Sequence, residues 1–364
     1  MAKDDWAIVI GIKSYFDPAL AGLQGPENDA REFYDWVVSP AGGAVPKPQA
    51  ELILSSDFPP FTTVPGAMPT ALAITKAFQH LRDIAEANGQ KGIGRTVGRR
   101  LYLFLSGHGF APARSDDLTA LLTAEATIAN SELKHIVGPY MADFFWRARF
   151  FEQILLFMDC CRSIMDCAQL YMPFEDERAS GYDQVRRFYA FGARVAKESR
   201  EWQMPDGAYH GVFTRTLLDG LRGSAADARS PSEVTAESLR DQIYTGFPNF
   251  LSPQDRQRVE RPEPEVRYEQ KPGSNFTVAM LGSRLQRVFG RVQLARLAVT
   301  LSVSPAHVGK RAIVRDKQLA AIATLTLADP TSLSLNKGLY ALEIEGEAEL
   351  VPFEVSGPES GLRV

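Results

Sequence analysis

The sequence predicts an α/β protein with a mostly parallel sheet covered by helices on both faces, followed by a small C-terminal antiparallel β-sandwich. Three observations carry this expectation. Short apolar, β-branched or aromatic runs alternate with helical stretches through the first three quarters of the chain, the pattern of successive β-α-β units. Two of the runs, LYLFLS (Leu101–Ser106) and QILLFMD (Gln153–Asp159), are apolar without alternation, as central strands buried on both faces must be. Beyond about Ser283, VQLARLAVTLSV, KRAIVRD, AAIATLTL, LYALEIEG and LVPFEV alternate apolar with polar residues between Pro or Gly turns, which suits strands with one buried face.

The elements follow in order. WAIVIGI (Trp6–Ile12) reads as a buried strand. ENDAREFYDWVV, from Glu27, reads as a helix with Pro26 near its start and Phe33, Trp36 and Val37 on one face. Glu51–Leu54 is a short strand. Thr70–Ala87 is a helix with Leu72, Ile74, Ala77, Phe78, Leu81 and Ile84 at helical spacing. After the two central runs, RRFYAFGA (Arg186–Ala193) is another strand, and GVFTRTLLDGLRG opens a helix ending at Gly220 or Gly223. The polar, proline-bearing PQDRQRVERPEPEVRYEQKPG reads as a long connection, and Asn275–Met280 as the last core strand. A helix is expected to begin near Arg162. The domain boundary falls between residues 282 and 283.

Composition excludes several function classes. The chain has 40 basic and 44 acidic residues, a net charge of −4, so nothing marks a nucleic-acid partner. No apolar run approaches the roughly 18–20 residues that span a bilayer. MAKDDWAIVIGI lacks the basic start and long apolar stretch of a signal peptide, so a reducing cytoplasm is the expected location. Cys160, Cys161 and Cys167 lie within eight residues, which disfavours a disulfide framework. Adjacent cysteines without a CxxC or HxxxH pair disfavour zinc, and no metal site is expected. Thiol chemistry is the reading to test.

Two strand ends carry that chemistry. In LFLSGHGF, His108 follows an apolar strand between two glycines; in LLFMDCCRS, Asp159, Cys160 and Cys161 follow another. Functional groups gather at the carboxyl ends of central strands in open α/β sheets. A thiol needs a neighbouring base, and imidazole has a suitable pKa. Gly109 could offer its amide to an oxyanion.

A strand ending in SGHG, followed by one ending in D-C-C-R-S, resembles the caspase-like cysteine peptidase clan. The metacaspase and bacterial orthocaspase branch, with its SGHG and D-x-C-x-S pairs, is the most similar. His108 and Cys161 are 53 residues apart, against roughly 50 for caspases. L-x-G-P-E-N-D-A (Leu23–Ala30) after the first strand, and HGVFT (His210–Thr214) before a helix, extend the resemblance over roughly residues 5–280. It implies a cysteine endopeptidase of caspase-like fold with His108 as base and Cys161, third in D-x-C-x-S, as nucleophile. Asp159 would then line the P1 pocket and select Arg or Lys. The second pocket acid should follow RRFYAFGA, where the sequence offers Glu198 or Glu201 and no Asp.

The resemblance further implies protein or peptide substrates, no cofactor for the chemistry, and self-cleavage in the segment MPFEDERASGYDQV, with Arg178 the candidate. Acidic loops at Asp116-Asp117 and Glu175–Glu177 admit calcium activation, and bacterial relatives imply a role in stress, cell-death or antiphage responses. The plainer alternatives are a core histidine at 108, inert thiols (the expected role of Cys160 and Cys167), and an Asp159 that merely caps the helix near Arg162. His135 and His210 read as surface or helix residues. The C-terminal module is either structural or a sensor for an activating ligand or partner. A caspase-fold interaction protein with little protease activity is the rival function, and a thiol hydrolase acting on a non-peptide acyl group is another.

Overall fold

The structure is a computed structural model. It describes residues 4–364 except 116, 129–132, 167–168, 176, 205–206, 228–229, 259, 269–274, 282–296, 316–320, 336–337, 348–349, 356–360 and 364. The chain divides into two compact units, Met1–Leu285 and Gln286–Val364. The expected boundary at 282/283 lies outside the described residues, as do Cys167, Asp116 and Asp176.

The first unit begins β1 (Asp5–Gly11), α1 (Pro26–Val38), β2 (Ala50–Leu54), α2 (Ala71–Gln90) and β3 (Gly98–Ser106). Then come β4 (Gly109–Pro112), β5 (Ala120–Leu122), β6 (His135–Val137), α3 (Gly138–Arg147), β7 (Phe151–Asp159), β8 (Ser163–Met165) and β9 (Arg186–Phe191). It ends with β10 (Glu201–Gln203), β11 (Tyr209–Gly211), α4 (Val212–Asp219), β12 (Ala226–Asp227), β13 (Ser230–Thr235), α5 (Ala236–Phe250), α6 (Pro253–Arg256), β14 (Glu265–Tyr268) and β15 (Thr277–Met280).

The central sheet has the order β14-β9-β7-β3-β1-β2. All its neighbours are parallel except the antiparallel edge strand β14. Side chains alternate across the pleat, so Leu101, Leu103 and Leu105 of β3 join one apolar layer with Phe78 and Leu81 of α2 and Phe145 of α3. Tyr102 and Phe104 join the opposite layer with Phe33 of α1, Leu217 of α4 and Ile243 of α5. Both faces are therefore covered, which explains the uninterrupted apolar runs. Burying each Leu or Phe of these layers contributes about 1.5–3 kcal/mol. Local signals set the helix limits. The Thr70 hydroxyl accepts from Ala73 N–H (3.0 Å) to start α2, Pro26 occupies the first turn of α1, and α4 runs on through a π turn from Gly220 that breaks at Gly223, where φ is +131°.

Two expectations fail. The sixth central strand is β14, inside the stretch read as a polar connection, whereas β15 pairs with β13 in a separate three-stranded sheet. Edge strand β14 is only half-buried along its length, so it never needed an apolar run. No helix starts near Arg162 either. Ser163–Met165 form β8, which pairs parallel with β4, and the Arg162 amide is taken by the Lys197 carbonyl (2.9 Å).

The second unit contains β16 (Leu297–Ser302), β17 (Arg311–Arg315), β18 (Ala321–Thr326), β19 (Thr331–Leu335), β20 (Gly338–Ile344), β21 (Val351–Val355) and β22 (Gly361–Arg363). They form sheets of order β19-β16-β22 and β18-β17-β20-β21. Val299 and Leu301 from the first sheet share one core with Val314, Leu342, Ile344 and Phe353 from the second. Pairing is antiparallel as expected, except that β22 runs parallel to β16. Among the described residues, no helix is long and apolar enough to cross a membrane.

Candidate active site

Strands β3 and β7 are in register with Ser106 opposite Asp159. His108 and Cys161 each follow that pair by two residues, so the two groups emerge at the same carboxyl edge from strands about 4.8 Å apart. A hydrogen bond from Gly107 N–H to Asp159 O (3.3 Å) ties the strand ends together. Gly107 has φ +154°, and a Cβ there would lie 2.6 Å from Tyr15 Oη. Only glycine allows this turn.

His108 is half-buried and held by the loop that follows β1. Its N–H donates to Tyr15 Oη (2.7 Å), and the Tyr15 hydroxyl donates to Ile12 O (3.0 Å). The two rings lie 4.9 Å apart. His108 Nε2 sits 2.8 Å from Ala21 O. A carbonyl only accepts, so Nε2 carries the proton of the neutral ring and Nδ1 keeps the lone pair. That is the tautomer a base needs.

The two adjacent cysteines diverge. Cys160 is buried, and its Sγ lies 2.7 Å from where a Cβ on Gly109 would stand. Gly109 is thus required for packing against Cys160, whose thiol burial pushes well above the usual range. Cys161 is half-buried and its S–H donates to Ser199 O (3.8 Å). Burial pushes this thiol up, and the negative charges of Glu198 and Asp159 push it further against the Ser199 contact and Arg200.

Asp159 lies beneath the edge, 6% exposed. One carboxylate oxygen accepts from Ser199 Oγ (2.5 Å); the other accepts from Thr214 N (3.0 Å) and Thr214 Oγ1 (2.7 Å). Thr214 is in the first turn of α4, so Asp159 does cap a helix, though one 50 residues beyond the helix expected from the sequence. Burial still raises its pKa against these bonds. Gly192 and Gly211 wall the carboxylate: a Cβ on either would come within 2.8 Å or 2.0 Å of its oxygens.

Among the remaining expected residues, Glu198 is exposed and ion-paired with Arg200 (2.8 Å). Glu201 accepts from the backbone amides of Gln24 (3.1 Å) and Gly25 (2.8 Å). Arg178 is exposed, on the segment preceding β9. His135 and His210, read as surface or helix residues, are instead buried in strands β6 and β11. His135 Nε2 accepts from Tyr171 N–H (3.1 Å), and His210 Nδ1 bonds Asp29 Oδ1 (2.8 Å). Each buried ring has found a partner, which removes the cost of leaving water.

Sequence reasoning assigned no role to Tyr15, Ala21, Ser199, Thr214 or Asp29. Asp29 and Thr214 fall inside the quoted segments Leu23–Ala30 and His210–Thr214, so the signal was present for those two. Among the described residues, no group of three or more His, Cys, Asp or Glu side chains is placed to hold a metal ion.

No family model matches the chain. Over 240 residues it is 29% identical to a protein described as a probable protease from a Desulfuromonadales bacterium, covering 60% of this chain and 26% of that protein. The chain therefore spans about a quarter of the relative's length. Among solved structures it is similar to caspase-1 from Spodoptera frugiperda, with a TM-score of 0.46 and 10% identity, over 73% of this chain and 87% of that one.

Proposed function

We propose that this protein is a caspase-like cysteine endopeptidase acting through Cys161 and His108. One observation carries the reading: a histidine in its basic tautomer and a half-buried thiol follow one in-register residue pair on adjacent parallel strands. Nδ1 of His108 takes the thiol proton as the Cys161 sulfur attacks a peptide carbonyl. The Gly109 amide stabilises the developing oxyanion. His108 returns the proton to the leaving amine, then activates the water that releases the acyl group. No cofactor takes part in these steps, and assays with and without calcium address activation through the acidic loops.

The buried carboxylate of Asp159 supports Arg or Lys at P1, because a cation offsets the desolvated charge. Glu198 adds negative potential beside Cys161. Resemblance to bacterial relatives supports a cytoplasmic role in stress, cell-death or antiphage responses. The test is peptide-library cleavage by wild type beside Cys161→Ala, with an active-site-directed thiol probe. Cleavage after Arg or Lys and labelling at Cys161 are expected. An unlabelled Cys161 and an intact library would leave the interaction-protein reading in its place.

A further inference from the structure

Segment 199–201 touches Cys161 of the proposed dyad directly and the loop that holds His108. The Ser199 carbonyl receives the Cys161 S–H, and the Ser199 hydroxyl holds Asp159. Two residues on, the Glu201 carboxylate spans the amides of Gln24 and Gly25. Those amides close the loop whose Ala21 carbonyl fixes His108 Nε2. They also precede α1, whose N-terminal end favours a negative charge. The fit around Gly25 is close, since a Cβ there would lie 2.9 Å from Glu201 Oε2. Asn28 Nδ2 donates to Tyr209 O (3.0 Å) and Gly211 N–H donates to Asp29 (2.9 Å). The β10–β11 hairpin is therefore fastened beside the 21–25 loop and the first turn of α1.

We infer that Glu201 is a positioning residue that holds the 21–25 loop, and through Ala21 the tautomer and direction of His108, rather than the acid that reads P1. Both its oxygens are committed to backbone donors, which a P1 cation would have to share. The inference rests on the dyad proposed above. Without Glu201 two loop amides lose their acceptor, Ala21 is released, and the imidazole samples both tautomers. A displacement of about 1 Å in a catalytic group costs on the order of 100-fold in rate.

The test uses the full chain with Glu201→Gln and Glu201→Ala beside Asp159→Asn. Glu201→Ala is expected to lower kcat by about 10- to 100-fold with KM and the preference for Arg or Lys over a neutral P1 residue unchanged. Glu201→Gln, which keeps one acceptor oxygen, should recover part of the loss. Imidazole ¹⁵N spectra should show the Nε2–H tautomer of His108 in wild type and a mixture in Glu201→Ala. Should the alanine variant fail to fold, Glu201→Gln carries both readouts. Collapse of the P1 preference with kcat intact would make Glu201 a specificity residue and overturn the inference. So would an unchanged His108 spectrum. The spectrum needs no substrate, so it decides the role of Glu201 even if no peptide is cleaved, an outcome that would count against the peptidase reading alone.

Discussion

His108, just past the end of β3, and His210, within β11, are both held by hydrogen bonds, but their partners differ in charge. His108 meets a neutral carbonyl, Ala21 O, and stays half-buried. His210 is buried against Asp29, with Glu32 3.7 Å away. Burial opposes protonation of His210, yet the hydrogen bond and charge of Asp29 and the charge of Glu32 raise its pKa overall. A buried carboxyl partner shares one proton with the ring and fixes it in place. A carbonyl partner orients the ring through Nε2 and leaves Nδ1 as the acceptor that the proposed chemistry uses.

The largest expected effect would break this comparison outright if it failed. His108→Ala should lower kcat/KM by roughly 10²–10⁴-fold and Cys161→Ala should abolish turnover, both with unfolding midpoints near wild type. Cys160→Ala, by contrast, should keep measurable activity. His210→Ala should retain turnover and lose about 1–3 kcal/mol of stability, the cost of leaving a buried acceptor unpaired. Kinetics paired with urea melts separate the cases. A fully stable but inactive His210→Ala would show that the two histidines share one function.

A second test sharpens the electrostatic side. Asp159 already serves three protein donors, so its pull on a P1 cation should sit at the low end for a desolvated charge pair. Asp159→Asn should cost about 2 kcal/mol, or roughly 30-fold in preference for Arg or Lys over a neutral residue. Efficient cleavage after Asp by wild type would rule this pocket out.

The contrast between the histidines also marks what the sequence could reveal. β1, β3 and β7 were legible because burial on both faces leaves an apolar run, and His108 and Cys161 because they end such runs. β14 was not, since an edge strand tolerates Glu265 and Arg267; Glu265 there pairs with the fully buried Arg162. β8 owes its existence to pairing with β4 some fifty residues earlier, which no local pattern records. Ala21 contributes only a carbonyl, and every residue has one. Asp29 lay in a quoted segment, but its partner His210 is 181 positions away.

A third prediction uses the Asp29–His210 pair. Burial pushes the Asp29 carboxyl up to about 7 against its bond from His210. The native state therefore binds a proton that the unfolded chain releases above about 4, and this contribution to stability falls as pH rises from about 4 through 7. His210 adds no separate contribution, because its own rise depends on an ionised Asp29 and the pair holds one proton between them. Glu27, Glu32 and Glu265 are held low, so their losses come at more acid pH. Wild type should lose up to about 1.4 kcal/mol per pH unit across this window relative to Asp29→Asn. Parallel stability curves for the two proteins would show that Asp29 is ionised throughout.

The smallest effect concerns the Arg178–Ala179 bond, the proposed self-cleavage site. The sequence suggests an open stretch, but the segment is strapped to α3 and the turn after it. Phe174 is buried and stacked on Phe144 (4.6 Å), and its N–H donates to Tyr140 Oη (3.0 Å). The amide of Ala179, the nitrogen of the bond to be cut, donates to Arg147 O (2.8 Å). Arg149 Nη1 donates to Ser180 O (2.7 Å). A protease needs this stretch extended and detached, so cleavage should track the population of a locally opened state. Each strap bond is worth about 0.5–1.5 kcal/mol net. Removing one should raise the open population, and the rate of cutting, by up to about 10-fold. Arg149→Ala is the clean probe, because Arg149 is exposed at φ +54° and alanine meets the same backbone strain. Intact-mass time courses should show a slow cut after Arg178 in wild type, a faster one in Arg149→Ala, and none in Cys161→Ala or Arg178→Ala. Equal rates in wild type and Arg149→Ala would show that the strap does not limit cleavage, and fragments from Cys161→Ala would show that another protease makes the cut.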